Sequence, residues 1–285
     1  MPLAALAVPR TGWLGALGPF LPGGSLGLGA PGGGPCVAFV GAGGKTTALF
    51  ALGRQAREAG AAVILTTTTA LRDPRQEEGR GFDGFLFEGE LPDPLALPRP
   101  SLTVLAGGLR EGGKIGGIPV ESCSGLKGAC DLLLVEADGS RGLPLKAYGP
   151  GEPLLPPCTD ILVACLGLGA FGRPAEASQV HRLGVFLALT GLAEGELVGA
   201  QALVALVTRP GGLFAPAPPG ALRVLCLTQR DLVSPSELAS LLEALLPLGS
   251  PREGRGSFDL LLLAEGEDLE IGFAGEGRVD RRLGA

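Results

Sequence analysis

Short, unbroken apolar runs recur along this chain, separated by longer segments of mixed polarity. The first is CVAFV at 36–40. Others stand at 62–65, 102–106, 131–136, 160–166 and 222–227, with a shorter one at 85–87. Apolar runs of this length, without strict alternation, read as strands buried on both faces. Helical patterns fall between them, at 45–59, 178–190, 196–208 and 234–246. The last carries its own start signal. Ser234 precedes Pro235 at the first helical position, and Glu237 stands three residues after the cap. Two late runs, 258–263 and 269–273, are expected to form an antiparallel pair. This alternation predicts an α/β fold with a mainly parallel sheet and helices on both faces. No repeat of solenoid period is visible.

A length of 285 residues suits one α/β domain with appended segments. Residues 36–250 are expected to be that domain. Residues 1–35 read as an extension, with a short helix around Leu14 and then the link GGSLGLGAPGGGP. Residues 251–285 supply the strand pair and a tail, expected to pack on the same domain. The segment 70–100 is charged and proline-rich. Residues 107–117, GGLREGGKIGG, read as a glycine loop containing Lys114, either a hairpin or a flap over a ligand. Residues 142–157 read as loop.

Composition narrows the class. Hydrophobic residues make up 46% and charged residues 18%, and the net charge is −6. No dense basic run is present, which argues against a nucleic-acid partner. The first cation is Arg10, unlike the basic start of a secretory signal. No uncharged apolar stretch free of glycine and proline is long enough to span a bilayer. A cytoplasmic protein without a membrane partner is expected. The cysteines at 36, 123, 130, 158, 165 and 226 form no C-x-x-C pair, and one histidine cannot complete a His-rich zinc site. Cys36, Cys165 and Cys226 are expected in the core. Cys123, within ESCSG, reads as exposed and is the candidate reactive thiol.

Candidate chemistry centres on 36–47. After the first strand, Gly41, Ala42, Gly43 and Gly44 remove nearly all side-chain bulk, and Lys45, Thr46 and Thr47 open a helix. Such a turn lets backbone amides converge on a phosphate at a helix N-terminus. Lys45 would reach the β- and γ-phosphates of ATP or GTP, and Thr46 would hold Mg²⁺. The longer phosphate-loop pattern wants glycine where Phe39 stands, so the loop is the shorter G-x-x-G-K-T, similar to that of the amide-bond ligases of cell-wall synthesis.

Threonines 66–69, among them Thr67 and Thr68, end a strand where open α/β sheets bind ligands. The strand at 131–136 runs into Glu136 and Asp138, and either carboxylate suits the Mg²⁺ side of the site. Lys45, Glu136 and Asp138 are therefore the candidate catalytic groups, with Thr46 and Asp138 as metal ligands. Arg141 and Lys146 can add charge for phosphates. His181 and Arg182 are further candidates. Asp231 follows a late strand, at the position where guanine-binding proteins place a base-reading carboxylate.

Three stretches together, FVGAGGKTT at 39–47, LTTTT at 65–69 and VEADGSRGLPLK at 135–146, resemble the YqeC family. GEP at 151–153, VHR at 180–182 and TQRD at 228–231 extend the resemblance over residues 36–250. It implies a phosphate-loop nucleotide-binding protein that assists selenium cofactor biosynthesis or maturation of a selenium-dependent molybdenum hydroxylase, which would be its partner. The implied chemistry stays open between an NTP-hydrolysing maturation factor, an ATP-dependent ligase or kinase for a small molecule, and a nucleotide sensor. Thr228, Gln229 and Arg230 depart from the usual Asn-Lys start of a base-reading element, so adenine and guanine stay open too.

Overall fold

The structure is a computed structural model that describes residues 12–21, 33–90, 96–249 and 256–274. The extension before Gly12, most of the glycine-rich link and the C-terminal tail lie outside the described residues.

Six of the strands follow the apolar runs: β1 (Cys36–Gly41), β2 (Ala62–Thr67), β5 (Ser101–Ala106), β8 (Leu132–Glu136), β10 (Ile161–Gly167) and β12 (Leu222–Thr228). With β4 (Gly84–Phe87), β13 (Leu260–Glu265) and β14 (Asp268–Ala274) they build one nine-stranded sheet, in the order β14-β13-β12-β10-β1-β8-β2-β5-β4. Every neighbouring pair is parallel except β13–β14. Both faces of these strands are covered. Val37 and Phe39 of β1 join one core, while Ala38 and Val40 join the other. That double burial explains why the runs read as continuous rather than alternating.

Helices α1 (Trp13–Leu17) and α2 (Lys45–Glu58) cover the first face. Trp13 is fully buried, and its ring meets that of Phe39 at 6.0 Å. Helices α3 (Ser122–Ala129), α4 (Leu183–Thr190), α5 (Ala200–Thr208) and α6 (Pro235–Leu245) cover the second. The α6 start is a capping box: the Ser234 hydroxyl accepts from the Glu237 amide, and Glu237 accepts from the Ser234 amide.

Two small sheets stand beyond the C-terminal ends of the strands. One joins β3 (Ala70–Arg72), β6 (Gly108–Arg110) and β7 (Lys114–Gly116) in the order β3-β7-β6. The glycine loop of 107–117 is therefore largely a hairpin. The other pairs β9 (Leu145–Lys146) with β11 (Val180–His181). This corrects two expectations. Residues 142–157 are not all loop, and the helix expected at 178–190 begins only at Leu183. Likewise the helix expected from 196 begins at Ala200, after Gly199. Among the described residues no helix is long and apolar enough to cross a membrane.

Candidate functional site

The site is built on the turn between β1 and α2. Gly41 and Gly43 have φ of 88° and 74°, in the left-handed region that favours glycine. Space imposes the same choice. A Cβ on Gly41 would lie 2.1 Å from the Cys165 carbonyl oxygen, and one on Gly43 would lie 2.6 Å from the Gly167 Cα. The turn is also anchored. The Ala42 amide donates to the Cys165 carbonyl at 2.9 Å, and the Thr228 hydroxyl donates to the Gly43 carbonyl. The amides that follow open α2, whose first turn leaves N–H groups without intrahelical acceptors.

Charge converges on this turn from β8. Thr46 donates its hydroxyl to a Glu136 carboxylate oxygen at 2.7 Å. Asp138, with no exposed side-chain surface, accepts from the Gly41 amide at 2.9 Å and lies 3.1 Å from the Lys45 ammonium. Lys45 also donates to the Gly41 carbonyl at 2.7 Å. Burial works against the Lys45 charge, but the Asp138 and Glu136 carboxylates outweigh it and raise its pKa. Burial pushes the Glu136 carboxyl up, with Lys45 and the Thr46 hydroxyl holding it back.

From Asp138 the pairs continue outward. Lys146 is buried 3.3 Å from Asp138 and 3.3 Å from Glu152, and it donates to the Gly139 carbonyl at 2.8 Å. Glu152 in turn meets Arg182 at 2.8 Å. The result is an alternating series, Lys45–Asp138–Lys146–Glu152–Arg182. Burial opposes ionisation of Glu152, yet Arg182, the Gly149 amide and Lys146 together hold it down at about 2. Partial burial lowers the His181 pKa, and the neighbouring Lys146 and Arg182 charges lower it further, favouring the neutral ring.

A cavity of about 910 Å³ opens above these groups. Its floor holds Gly43, Gly44, Lys45, Thr46, Thr47 and Glu136. Its lining also includes Arg141, His181 and Arg182, and Thr69, Arg72, Arg80 and Lys114. Arg141, Arg182 and Gln229 have φ of 54°, 65° and 58°, and among the described residues they are the non-glycine residues with positive φ. All three line this cavity. Strained backbone held at a cleft is a mark of a functional site.

The sequence candidates divide accordingly. Lys45, Thr46, Thr47, Glu136, Arg141, His181 and Arg182 meet at the cavity. Asp138 and Lys146 lie just behind it. Thr67 and Thr68 are spent on backbone, donating to the Glu136 and Leu154 carbonyls at 2.8 Å and 2.7 Å. Asp231 is exposed in the turn after β12 and does not line the cavity, whereas Gln229 does. Cys36, Cys165 and Cys226 are buried, as expected. Cys123 is also buried, with burial pushing its thiol up to about 12, so its expected exposure is corrected. Sequence reading missed Arg72 and Arg80, which follow no recognisable spacing, and took Gln229 only as a departure from a base-reading element.

Comparison with known proteins fits this arrangement. The sequence model of the family described as "YqeC protein" matches residues 37–184, which contain the turn, β8 and the series out to Arg182. A relative from Escherichia coli (strain K12), described as "Uncharacterized protein YqeC", is 35% identical over 195 residues, covering 66% of this chain and 73% of that protein. The chain belongs to the YqeC family.

Proposed function

We propose that this protein binds a Mg²⁺–nucleoside triphosphate on the β1–α2 turn and hydrolyses it in the service of selenium cofactor biosynthesis, or of maturing a selenium-dependent molybdenum hydroxylase. The observation that carries the nucleotide part is the hydrogen bond from Thr46 to Glu136, beside the Lys45–Asp138 pair, at a cavity floored by a helix N-terminus. Free amides at the start of α2 and the Lys45 ammonium supply the positive field that a triphosphate needs.

The donor set fits Mg²⁺. Thr46 and Glu136 offer oxygen ligands side by side, and a hard ion of this kind takes few protein ligands, keeping its waters and the phosphates. The bound ion would neutralise charge building on the β- and γ-oxygens. Glu136, beside Thr46, would meet the ion directly or through one of its waters. Asp138 keeps Lys45 charged and aimed. ATP and GTP both fit this reading, because Asp231 stands away from the cavity.

The selenium part rests on the family resemblance. No cysteine supports a selenium-ligand role at the site, and Cys123 is sealed in the core. The test has two arms. Purified protein should hydrolyse NTP slowly, and a deletion strain should lose selenium-dependent hydroxylase activity, regained with wild type but not with Lys45→Ala. Full activity in the deletion strain, with normal selenium incorporation, would remove the physiological role.

A further inference from the structure

The nucleotide reading leaves half of the cavity without an occupant. Thr46 and Glu136 mark the metal and γ-phosphate end of a triphosphate. Gln229 and Thr228 stand beside Gly43 and Gly44, on the β12 side. A nucleotide with its γ-phosphate at Glu136 therefore trails toward Gln229. Past Glu136, in the other direction, the cavity continues to Thr69, Arg72, Arg80 and Lys114.

The cations there are arranged unusually. Arg72 on β3 lies directly opposite Lys114 on β7, and Arg110 on β6 lies opposite the same Lys114. Directly opposed residues of antiparallel strands point to the same face, so three cations form one row across the small sheet. Like charges in such pairs destabilise a sheet. Nearby cations are all matched: Arg75 with Asp73, Arg80 with Glu77, and Arg57 with Asp83. Arg72, Lys114 and Arg110 have no carboxylate partner among the described residues. On the opposite face of the same sheet Leu71 and Ile115 are buried in the core, while Leu109, opposite Ile115, is exposed. Leu71 and Ile115 thus hold the sheet, and Arg72 and Lys114 of the row line the cavity.

We infer that the Arg72–Lys114 row binds a second, phosphate-bearing small molecule beside the γ-phosphate of the bound nucleotide. The inference rests on the nucleotide reading for its geometry. Two adjacent cations suit a dianion better than a single carboxylate, and the ligand would relieve the cross-strand repulsion between them. Its position past Glu136 makes it a co-substrate rather than a part of the nucleotide.

The experiment is a thermal melt of the protein with and without saturating Mg²⁺ and non-hydrolysable NTP. Inorganic phosphate is added, against chloride and acetate at matched ionic strength. Phosphate should raise the midpoint of the nucleotide-loaded wild type beyond chloride or acetate. Arg72→Gln with Lys114→Gln should abolish that increment. Its own midpoint should be no lower than that of wild type, since a repulsive pair is removed, and its NTP affinity should stay within about threefold. Three results would overturn the inference: no phosphate-specific increment, an equal response to acetate, or a loss of NTP affinity of about tenfold or more in the double variant. If wild type binds no NTP, the function reading falls instead. The subsite is then judged by whether the double substitution removes the phosphate response of the free protein.

Discussion

Both ends of the parallel sheet carry buried or half-buried acids, and they use them differently. At the N-terminal end, four aspartates precede strands, and each accepts the first or second amide of a neighbouring strand. Asp160 takes Cys36, Asp131 takes Ala62, Asp83 takes Leu102 and Asp259 takes Arg223, all at 2.7–2.8 Å. Each also meets a cation: Lys127, Arg99, Arg57 and Arg223 respectively. These acids close local accounts of hydrogen bonding and set the strand register. At the C-terminal end, Glu136 and Asp138 take a side-chain hydroxyl, a loop amide and two ammonium groups from three other parts of the chain. Acids at strand starts here are structural, and acids at strand ends converge on a cavity, as ligand sites in open α/β sheets do.

The largest effect that tests this contrast is expected at Asp138. Asp138→Ala leaves Lys45 and Lys146, both buried, without the carboxylate they share. A loss of about 3–5 kcal/mol is expected from removing one side of a buried ion pair, read from denaturant midpoints. A loss below about 1 kcal/mol would mean that the series is not coupled.

Asp131→Ala makes the matching test at the other end. It leaves the buried Ala62 amide, at the start of an interior strand, without its acceptor and should cost about 1–3 kcal/mol. Nucleotide affinity should not move. If it falls along with stability, the division between the two ends fails.

Next in size is the acid response of Glu152. Its folded-state pKa is held at about 2, below the ordinary 4.5. The stability it contributes is therefore fully present above pH 4.5 and is lost as pH falls through about 2. Glu152→Gln should flatten this part of the stability–pH profile. An unchanged acid limb in the variant would show that Arg182 and Lys146 do not act through Glu152.

The smallest effect is expected at Arg141, whose φ of 54° costs a non-glycine residue about 1 kcal/mol or slightly more. Arg141→Gly relieves that strain but adds about 0.4–1 kcal/mol of unfolded-state entropy, so stability should stay level or rise by less than about 1 kcal/mol. A destabilised variant would point to side-chain contacts that outweigh the strain.

Much of the central architecture is legible in the sequence because doubly buried strands must be apolar throughout. The turn from Gly41 to Thr46 is legible for a steric reason, since only glycine fits against Cys165 and Gly167. The acids of β8 are legible by position. What escapes reading is short or glycine-masked. Strands β9 and β11 have two residues each, too few to show a period, so Val180 and His181 merge into the following helical pattern. Helix α3 contains Gly125 and Gly128, which hide the buried pair Cys123 and Leu126 at helical spacing. That concealment is why Cys123 reads as exposed. The Arg72–Lys114 row depends on the register of two strands far apart in the chain, which no local pattern encodes.

The account turns on the claim that the β1–α2 turn binds a nucleotide. Titration calorimetry with Mg²⁺–ATP and Mg²⁺–GTP, on wild type and on Lys45→Ala of verified fold, measures it most directly. Wild type should bind at least one of the two, and Lys45→Ala should bind it about ten- to a hundredfold more weakly, the scale of a lost charge-assisted contact. Equal affinities for wild type and Lys45→Ala, or no binding of either nucleotide by wild type, would contradict it.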